Sequence, residues 1–176
     1  MSDLVNVKIS KREVSYDTTY SIASKAVRLA EASRLTVSSA ESCTGGLIGG
    51  ALTDVPGSSA VYLGGIITYT NEVKINVLGV DGNLIDRYTE VSEAVARQMA
   101  QKVREKLGSD IGVSATGFAG PSGGNENDPK GTVYIGISTS KCADVYRLSF
   151  FPEATRDEIR RICVEFALEK LILLCA

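Results

Sequence analysis

The sequence contains no histidine. Imidazole is the usual general base near neutral pH and the commonest protein metal ligand, so this absence excludes a Ser-His-Asp triad, a Cys-His pair and a histidine-bound zinc. A hydrolase with this sequence must take its base from Lys, Asp, Glu or Tyr, or must activate water with a metal held by carboxylates. The possible hydrolytic chemistries are therefore few before any motif is considered.

Cysteine, long apolar runs and blocks of like charge are also scarce. The cysteines Cys43, Cys142, Cys163 and Cys175 form no C-x-x-C pair, which predicts neither a disulfide framework nor a zinc site. The net charge at pH 7 is −2, and Lys and Arg are scattered along the chain. These properties favour a cytoplasmic protein, and they disfavour nucleic acid or a membrane as a partner.

Apolar residues make up 44% of the 176-residue chain, which is enough for the core of one domain. We predict that residues 17–176 form this domain and that residues 1–16 form an amino-terminal extension. Helical spacing of apolar residues predicts helices at 18–33, 47–52, 71–78, 91–108 and 155–174. Shorter apolar runs predict strands at 35–40, 61–69, 111–115, 131–138 and 145–151.

The order of these elements predicts an α/β fold. Helices alternate with strands, which favours a three-layer α/β/α sandwich around a mixed β-sheet. The last two strands, at 131–138 and 145–151, are predicted to form an antiparallel hairpin. Asn71 is predicted to cap the short helix that follows it, and residues 81–89 are predicted to form a loop.

A first glycine-rich segment, Ser42-Cys43-Thr44-Gly45-Gly46, joins a predicted strand to a predicted helix. Such a junction points unpaired N–H groups and the positive end of the helix dipole at one spot, which suits a phosphate or an oxyanion. Its spacing matches neither G-x-G-x-x-G nor the Walker A pattern. A simpler alternative remains open, in which a hydroxyl only caps the helix and the glycines only pack against the sheet.

A second glycine-rich loop, at residues 116–124, follows the predicted strand at 111–115. Open α/β sheets bind ligands outside the carboxyl ends of their strands, so the two glycine loops are predicted to face one crevice. The alternative is a mobile surface loop, although loops of this length inside a compact domain are often functional.

A serine and a lysine between these loops could form a catalytic pair. The segment Gly57-Ser58-Ser59 offers a hydroxyl, and Lys74 offers an amine. The amine must lose its proton, so its pKa has to fall from about 10.4 through burial or a position near a helix start. On these residues alone, a turn serine and a solvated lysine are the commoner arrangement.

A carboxylate-bound metal is a further alternative. Glu41, Glu72 and Asp54 are the candidate ligands, but no spacing of these carboxylates is diagnostic of a metal site. Glu41 stands beside the first glycine segment and could instead orient Ser42.

Segments along most of the chain resemble one known family. They are AESCTGG at 40–46, PGSS at 56–59, TYTNEVK at 68–74, LGV at 78–80, VSE at 91–93 and TGFAGP at 116–121. In order and spacing these segments resemble the CinA carboxy-terminal family over residues 29–173. The resemblance implies an amidohydrolase that converts nicotinamide mononucleotide to nicotinate mononucleotide and ammonia in pyridine nucleotide recycling. It also implies a serine nucleophile, a lysine partner, no metal and no other cofactor.

The resemblance assigns the catalytic roles to Ser59 and Lys74. Together with the glycine loops it gives an expected substrate-binding set, which is Ser42, Thr44, Gly45, Gly46, Tyr69, Thr116, Gly117, Gly120, Arg156 and Arg160. The two arginines could bind the nucleotide phosphate, could repel a proton from Lys74, or could simply form a solvated helix face.

The expected partner is a small nucleotide, and the family's habit of forming oligomers implies a homo-oligomer. At residues 122–130 the chain departs from the usual family pattern, with Lys130 where an apolar residue is more common. The alternative to an enzyme is a catalytically silent nucleotide-binding module, in which Lys74 stays protonated.

Overall fold

The computed structural model describes residues 4–176. In that part of the chain the strands are β1 (Leu4–Lys8), β2 (Val37–Glu41), β3 (Tyr62–Ile67), β4 (Ile111–Gly117), β5 (Thr132–Ser138) and β6 (Ala143–Ser149). The α-helices are α1 (Tyr16–Ala32), α2 (Leu47–Thr53), α3 (Asn71–Val73), α4 (Gly82–Tyr88), α5 (Glu93–Leu107) and α6 (Arg156–Cys175). A 3₁₀ turn, Ser58–Ala60, precedes β3, and a π-helical turn, Lys74–Leu78, continues α3.

The strands form one mixed sheet in the order β1-β6-β5-β4-β2-β3. β5 is antiparallel to both of its neighbours, and the other described pairings are parallel. The predicted hairpin of the last two strands is thereby confirmed. Because β2, β3 and β4 run in the same direction, their carboxyl ends meet at one edge of the sheet. The segments that follow these strands are therefore neighbours in space.

Helices cover both faces of this sheet. α1, α2 and α6 pack together on one face, whereas α5 lies on the other face with α4 and the π turn. Ile48 and Leu168 are fully buried on the first face, and Met99 and Leu78 on the second. Burial of each such side chain contributes about 1.5–3 kcal/mol to the free energy of unfolding. The three-layer α/β/α sandwich predicted from the sequence is thus confirmed.

Strand β2 is buried along its whole length although its sequence, VSSAE, is largely polar. Its hydroxyl groups are paired: Ser38 with Ser109 at 2.7 Å, and Ser39 with Tyr62 at 2.7 Å. Unpaired polar groups are costly inside a protein, so these bonds allow a polar strand to lie within the sheet. The strand ends with Glu41, at the edge where the three parallel strands end.

Part of the segment expected to be an extension belongs to the sheet instead. Leu4–Lys8 is the edge strand β1, which pairs in parallel with β6. In the same segment, Arg12 forms an ion pair at 3.1 Å with Glu165 of α6, whose side chain is only 3% exposed. A parallel partner near the other end of the chain leaves no local signal in the sequence, which explains why β1 is missed.

Residues 81–89, predicted as a loop, contain helix α4. Asp81 caps this helix by accepting a hydrogen bond from the Asn83 amide at 2.9 Å. Ile85 is buried in the cluster beneath α5. Gly82 and Asn83 locally favour a turn, but burial of an apolar residue overrides this weak preference.

The final helix, α6, ends in an apolar run at residues 171–175. Thr155 and Glu158 form a capping box at its start. Near its end Leu171 is buried, whereas Leu173 is 69% exposed. Neither α6 nor any other helix within residues 4–176 is long and apolar enough to cross a membrane.

Candidate functional site

The ends of β2, β3 and β4 bring Ser42, Thr68 and Thr116 to one edge of the sheet. The Ser42 amide donates to the Ala115 carbonyl at 2.8 Å, and the Thr68 amide donates to the Glu41 carbonyl at 2.7 Å. These bonds extend the parallel ladders past the strand ends. The two glycine loops therefore start from adjacent strands, at the edge where open α/β sheets bind ligands.

Lys74 lies beside Ser42 at this edge. Its side chain is 1% exposed, and its Nζ atom donates to the Thr68 carbonyl at 3.0 Å and lies 3.4 Å from Ser42 Oγ. Thr70, rather than the predicted Asn71, caps α3, so that Lys74 opens the π turn that follows. The fold thus buries the amine against the serine of the first glycine loop.

Burial lowers the pKa of Lys74 below its ordinary value of 10.5, because the ammonium group loses its hydration. The carboxylate of Glu90 and the sulfur of Cys43 oppose this by raising the pKa, and both effects are smaller than that of burial. No carboxylate within residues 4–176 forms an ion pair with Lys74. Lys74 is therefore a candidate proton acceptor.

The described chain does not bring Ser59 to Lys74, so their catalytic pairing stays a prediction. Ser59 is exposed and lies in the 3₁₀ turn before β3, whereas Lys74 follows β3. The six residues of β3 lie between these two positions. At about 3.3 Å per residue, the strand separates Ser59 from Lys74 by roughly 20 Å, with one residue near each end of β3. The serine that the structure brings to Lys74 is Ser42.

The first glycine loop uses its helix amides differently from the prediction. The amides of Gly46, Ile48 and Gly49 donate to the buried Glu41 carboxylate at 2.9, 3.0 and 2.9 Å. Gly46 has a φ of 99°, a conformation that favours glycine. The start of α2 is therefore occupied by a side chain of the protein itself, which corrects the expectation that it is open to a ligand anion.

Arg160 on α6 fixes the rest of this loop. Its Nε donates to the Cys43 carbonyl at 3.0 Å, and its Nη2 donates to the Thr44 carbonyl at 3.1 Å. In a trans peptide the carbonyl and the following amide point in opposite directions, so the Thr44 amide points away from the guanidinium. Within residues 4–176 the Cys43 and Thr44 amides donate no hydrogen bond. They are free main-chain donors beside Ser42.

Arg156, one turn earlier on α6, reaches the second glycine loop. Its Nη1 donates to the Gly120 carbonyl at 2.7 Å. Arg156 and Arg160 therefore bind main-chain carbonyls, one arginine on each glycine loop. These contacts tie α6 to both loops, and a phosphate contact by either arginine stays a prediction.

Two of the predicted binding residues in the second loop have roles within the fold. Thr116 Oγ1 donates to the Glu90 carbonyl at 2.8 Å, which holds that segment at the site edge. A Cβ atom at Gly117 would lie 2.6 Å from the Val133 side chain, so close packing on β5 requires glycine there. Gly120 has a φ of 81°. Thr116 and Gly117 thus have roles within the fold, and their binding of substrate stays a prediction.

Two hydroxyl groups at this edge are buried without a hydrogen-bond partner in the described chain. Thr44 and Thr68 are both 0% exposed, and neither Oγ1 atom is paired. A buried polar group left unpaired costs about 1–3 kcal/mol, so these atoms mark a place where a bound molecule can supply a missing bond. Tyr69, by contrast, is 61% exposed and lies next to Thr68 in the chain.

The carboxylates considered as metal ligands do not come together. Glu41 already accepts four hydrogen bonds within the protein. Glu72 and Asp54 are exposed. Over residues 4–176 the structure contains no group of three or more His, Cys, Asp or Glu side chains that could hold a metal ion.

Residues 19–175 match the CinA C-terminal domain family. A CinA-like protein of Cyanothece sp. is 46% identical over 151 residues, which are 86% of this chain and 36% of that protein. A CinA-like protein of Gloeothece citriformis is 58% identical over 103 residues, which are 58% of this chain and 25% of that protein. The chain thus spans 25–36% of the length of these curated relatives.

Solved structures give the same assignment. The competence/damage inducible protein CihA from Agrobacterium tumefaciens is 36% identical with a TM-score of 0.85, over 94% of this chain and 99% of that one. A CinA superfamily protein from Escherichia coli is 30% identical with a TM-score of 0.85, over 93% of this chain and 94% of that one. The matched residues and these relatives agree, and the chain belongs to the CinA C-terminal domain family.

Proposed function

We propose that the chain is an amidohydrolase that converts nicotinamide mononucleotide to nicotinate mononucleotide and ammonia by a Ser-Lys mechanism. One observation carries the proposal: a buried amine with a lowered pKa, Lys74, lies 3.4 Å from the hydroxyl of Ser42 at a strand end. Ser42 takes the nucleophile's role that the family resemblance assigns to Ser59. The geometry supports the reaction type, and the family resemblance supports the substrate and its place in pyridine nucleotide recycling.

The distance between the two groups suits proton transfer after substrate binds. A general base in a reactive complex lies about 2.6–3.2 Å from the donor atom, and this distance is often longer without substrate. The Ser42–Lys74 separation of 3.4 Å is slightly above this range. The amine also contacts the Thr68 carbonyl, which holds it in place without neutralising its charge.

The reaction then proceeds in two steps. Neutral Lys74 removes the proton of Ser42, and Ser42 Oγ attacks the amide carbon to form a tetrahedral intermediate. The Lys74 ammonium group returns this proton to the nitrogen, the C–N bond breaks, and ammonia leaves. Water, deprotonated by Lys74, attacks the acyl-enzyme and releases the carboxylic acid and Ser42.

The negative charge on the carbonyl oxygen requires nearby donors. The amides of Cys43 and Thr44 are free and adjacent to Ser42, which suits an oxyanion hole. Loss of one such donor typically reduces kcat by about 10²–10³-fold. Arg160 supports this arrangement indirectly, because it holds the carbonyls of the same two residues on the other side of the loop.

The phosphate of a nucleotide must bind away from α2, whose first amides are occupied by Glu41. In the second glycine loop the amides of Ser122, Gly123 and Gly124 donate no hydrogen bond within residues 4–176. Arg156 contacts the same loop through Gly120. The proposal therefore places the phosphate at the second loop rather than the first.

A catalytically silent nucleotide-binding module is the second candidate function. It is favoured by Glu90, whose carboxylate raises the pKa of Lys74 and so stabilises the inert ammonium form. In this case the glycine loops still hold a nucleotide, but Ser42 lacks a base. Saturable binding without product would distinguish the module from the enzyme.

Ammonia release from nicotinamide mononucleotide by the purified protein tests the proposal, with Ser42→Ala and Lys74→Ala as variants and with and without a chelator. We expect the unaltered protein to remain active with a chelator present. We expect the activity of each variant to be at least about 100-fold lower than that of the unaltered protein. Binding without ammonia release from the unaltered protein would support the silent module. Loss of activity on chelation would support the carboxylate-metal alternative.

The proposal includes a cytoplasmic homo-oligomer. The exposed apolar end of α6, where Leu173 is 69% and Leu174 is 42% exposed, suits contact with a second copy. Light scattering on the purified protein checks this, since a single-chain mass of 18.7 kDa would contradict an oligomer.

A further inference from the structure

The buried carboxylate of Glu41 is fully satisfied by hydrogen bonds. Glu41 is the last residue of β2 and is 1% exposed. It accepts bonds from the Ser39 hydroxyl at 3.0 Å and from the amides of Gly46, Ile48 and Gly49 at 2.9, 3.0 and 2.9 Å. A carboxylate offers about four acceptor positions, so these donors use them all.

This carboxylate has no cationic partner in the described residues. Neither Lys nor Arg within residues 4–176 forms an ion pair with it. An unpaired buried charge costs several kcal/mol, so other groups must balance it. The amides at the start of α2 do so, because they carry partial positive charge and bond more strongly to an ionised acceptor. The Glu41 carboxylate is thus held by the first amides of α2.

The main chain of Glu41 is also connected by hydrogen bonds to the Ser42–Lys74 pair, which lies on the face of the sheet opposite α2. Its carbonyl accepts the Thr68 amide at 2.7 Å, and the Thr68 carbonyl in turn accepts Lys74 Nζ at 3.0 Å. Ser42 is the next residue in the chain. Side chains at consecutive strand positions point to opposite faces, so Glu41 faces α2 while Ser42 faces Lys74. One residue therefore connects α2 to both members of the pair.

We infer that Glu41 is a positioning residue for the site. Its carboxylate fixes the loop that carries Ser42, keeps Ser42 Oγ within reach of Lys74, and leaves the Cys43 and Thr44 amides free. The inference rests on the proposed function for its kinetic readout, but the position and reactivity of Ser42 can also be measured without the amide substrate.

Glu41→Gln is the variant that tests this role. Gln has nearly the same shape, but it replaces one acceptor oxygen by an NH₂ donor that faces the donors around it. The first readout is the rate at which a fluorophosphonate modifies Ser42, followed by mass spectrometry. The second is kcat and KM for nicotinamide mononucleotide. Exposed Glu31→Gln is the matched control, and Ser42→Ala identifies labelling at other sites.

We expect Glu41→Gln to slow the labelling of Ser42 by about 100-fold and to reduce kcat similarly, with KM nearly unchanged, because a reacting group misplaced by about 1 Å loses about that factor. Circular dichroism establishes that the variant is folded. If it does not fold, Glu41→Asp replaces it, and the shorter side chain is again expected to slow labelling.

A lower Tm with unchanged labelling and unchanged kcat would show a merely structural role and overturn the inference. Failure of the unaltered protein to label at Ser42 would also overturn it. If the unaltered protein is labelled but releases no ammonia, while Glu41→Gln slows labelling, the inference stands and the proposed function fails. The two proposals are therefore separable.

Discussion

Replacing Lys74 by Met should change how the stability of the protein depends on pH. The unfolded chain holds the Lys74 proton up to the ordinary pKa of 10.5, whereas burial lowers this pKa in the fold. Between the lowered pKa and 10.5 the unfolded state binds more protons, so the free energy of unfolding rises with pH. One amine contributes at most about 1.4 kcal/mol per pH unit to this slope.

The pH dependence of the difference follows from the contacts of Lys74. Met leaves the Thr68 carbonyl without its donor, which costs about 1–3 kcal/mol at every pH. The apolar stem of Lys74 is already buried, so Met retains that burial and removes only the charged group. We expect the free energy of unfolding of Lys74→Met, relative to that of the unaltered protein, to be highest near pH 7 and to fall as the pH rises towards 10.5.

Urea unfolding followed by far-UV circular dichroism, from about pH 6 to about pH 9, measures this difference. Lys25→Met is the matched control, because the Lys25 side chain is exposed and its replacement should leave the pH dependence unchanged. If the free energies of unfolding of the unaltered protein and Lys74→Met depend on pH in the same way, burial does not lower the pKa of Lys74. That result would also remove the physical basis for a neutral lysine base.

Two further substitutions test the charges around the site and in the fold. Glu90→Gln should move the acidic limb of the kcat/KM profile to lower pH, because the carboxylate raises the pKa of Lys74 and activity requires the neutral amine. An acidic limb at the same pH in Glu90→Gln and in the unaltered protein would contradict this expectation. Arg12→Met should lower the free energy of unfolding by about 1–3 kcal/mol in urea, because Glu165, 3% exposed, loses its cation. The effect is smaller than for a fully buried pair because Arg12 is 36% exposed. An unchanged free energy of unfolding in Arg12→Met would contradict this expectation.

The sequence predicts the fold well where the signal is local. The β5–β6 hairpin joins two strands through a short connection, and α5 is marked by its cap at Ser92 and by Gly108 at its end. β1 is missed because its partner strand lies near the other end of the chain. α4 is missed because burial of Ile85, rather than local preference, makes it a helix.

The site shows a similar division. Lys74 and the glycine loops are found from motifs, and the family resemblance assigns the nucleophile to Ser59 rather than to Ser42. Parallel pairing of β2 and β3 brings together residues that follow adjacent strands, so Ser42 and Lys74 meet although they are 32 positions apart. With the strands assigned, that rule identifies Ser42. The role of Arg160 depends on how α6 lies against the loops, which no local pattern encodes.

Comparison of Ser42→Ala with Ser59→Ala tests the assignment of the nucleophile most directly. Both serines belong to family motifs, but only Ser42 contacts Lys74 in the described chain. Ammonia release from nicotinamide mononucleotide should disappear in Ser42→Ala, whereas Ser59→Ala should retain the kcat/KM of the unaltered protein, with both variants folded. Activity that persists in Ser42→Ala and is lost in Ser59→Ala would contradict a nucleophile at Ser42.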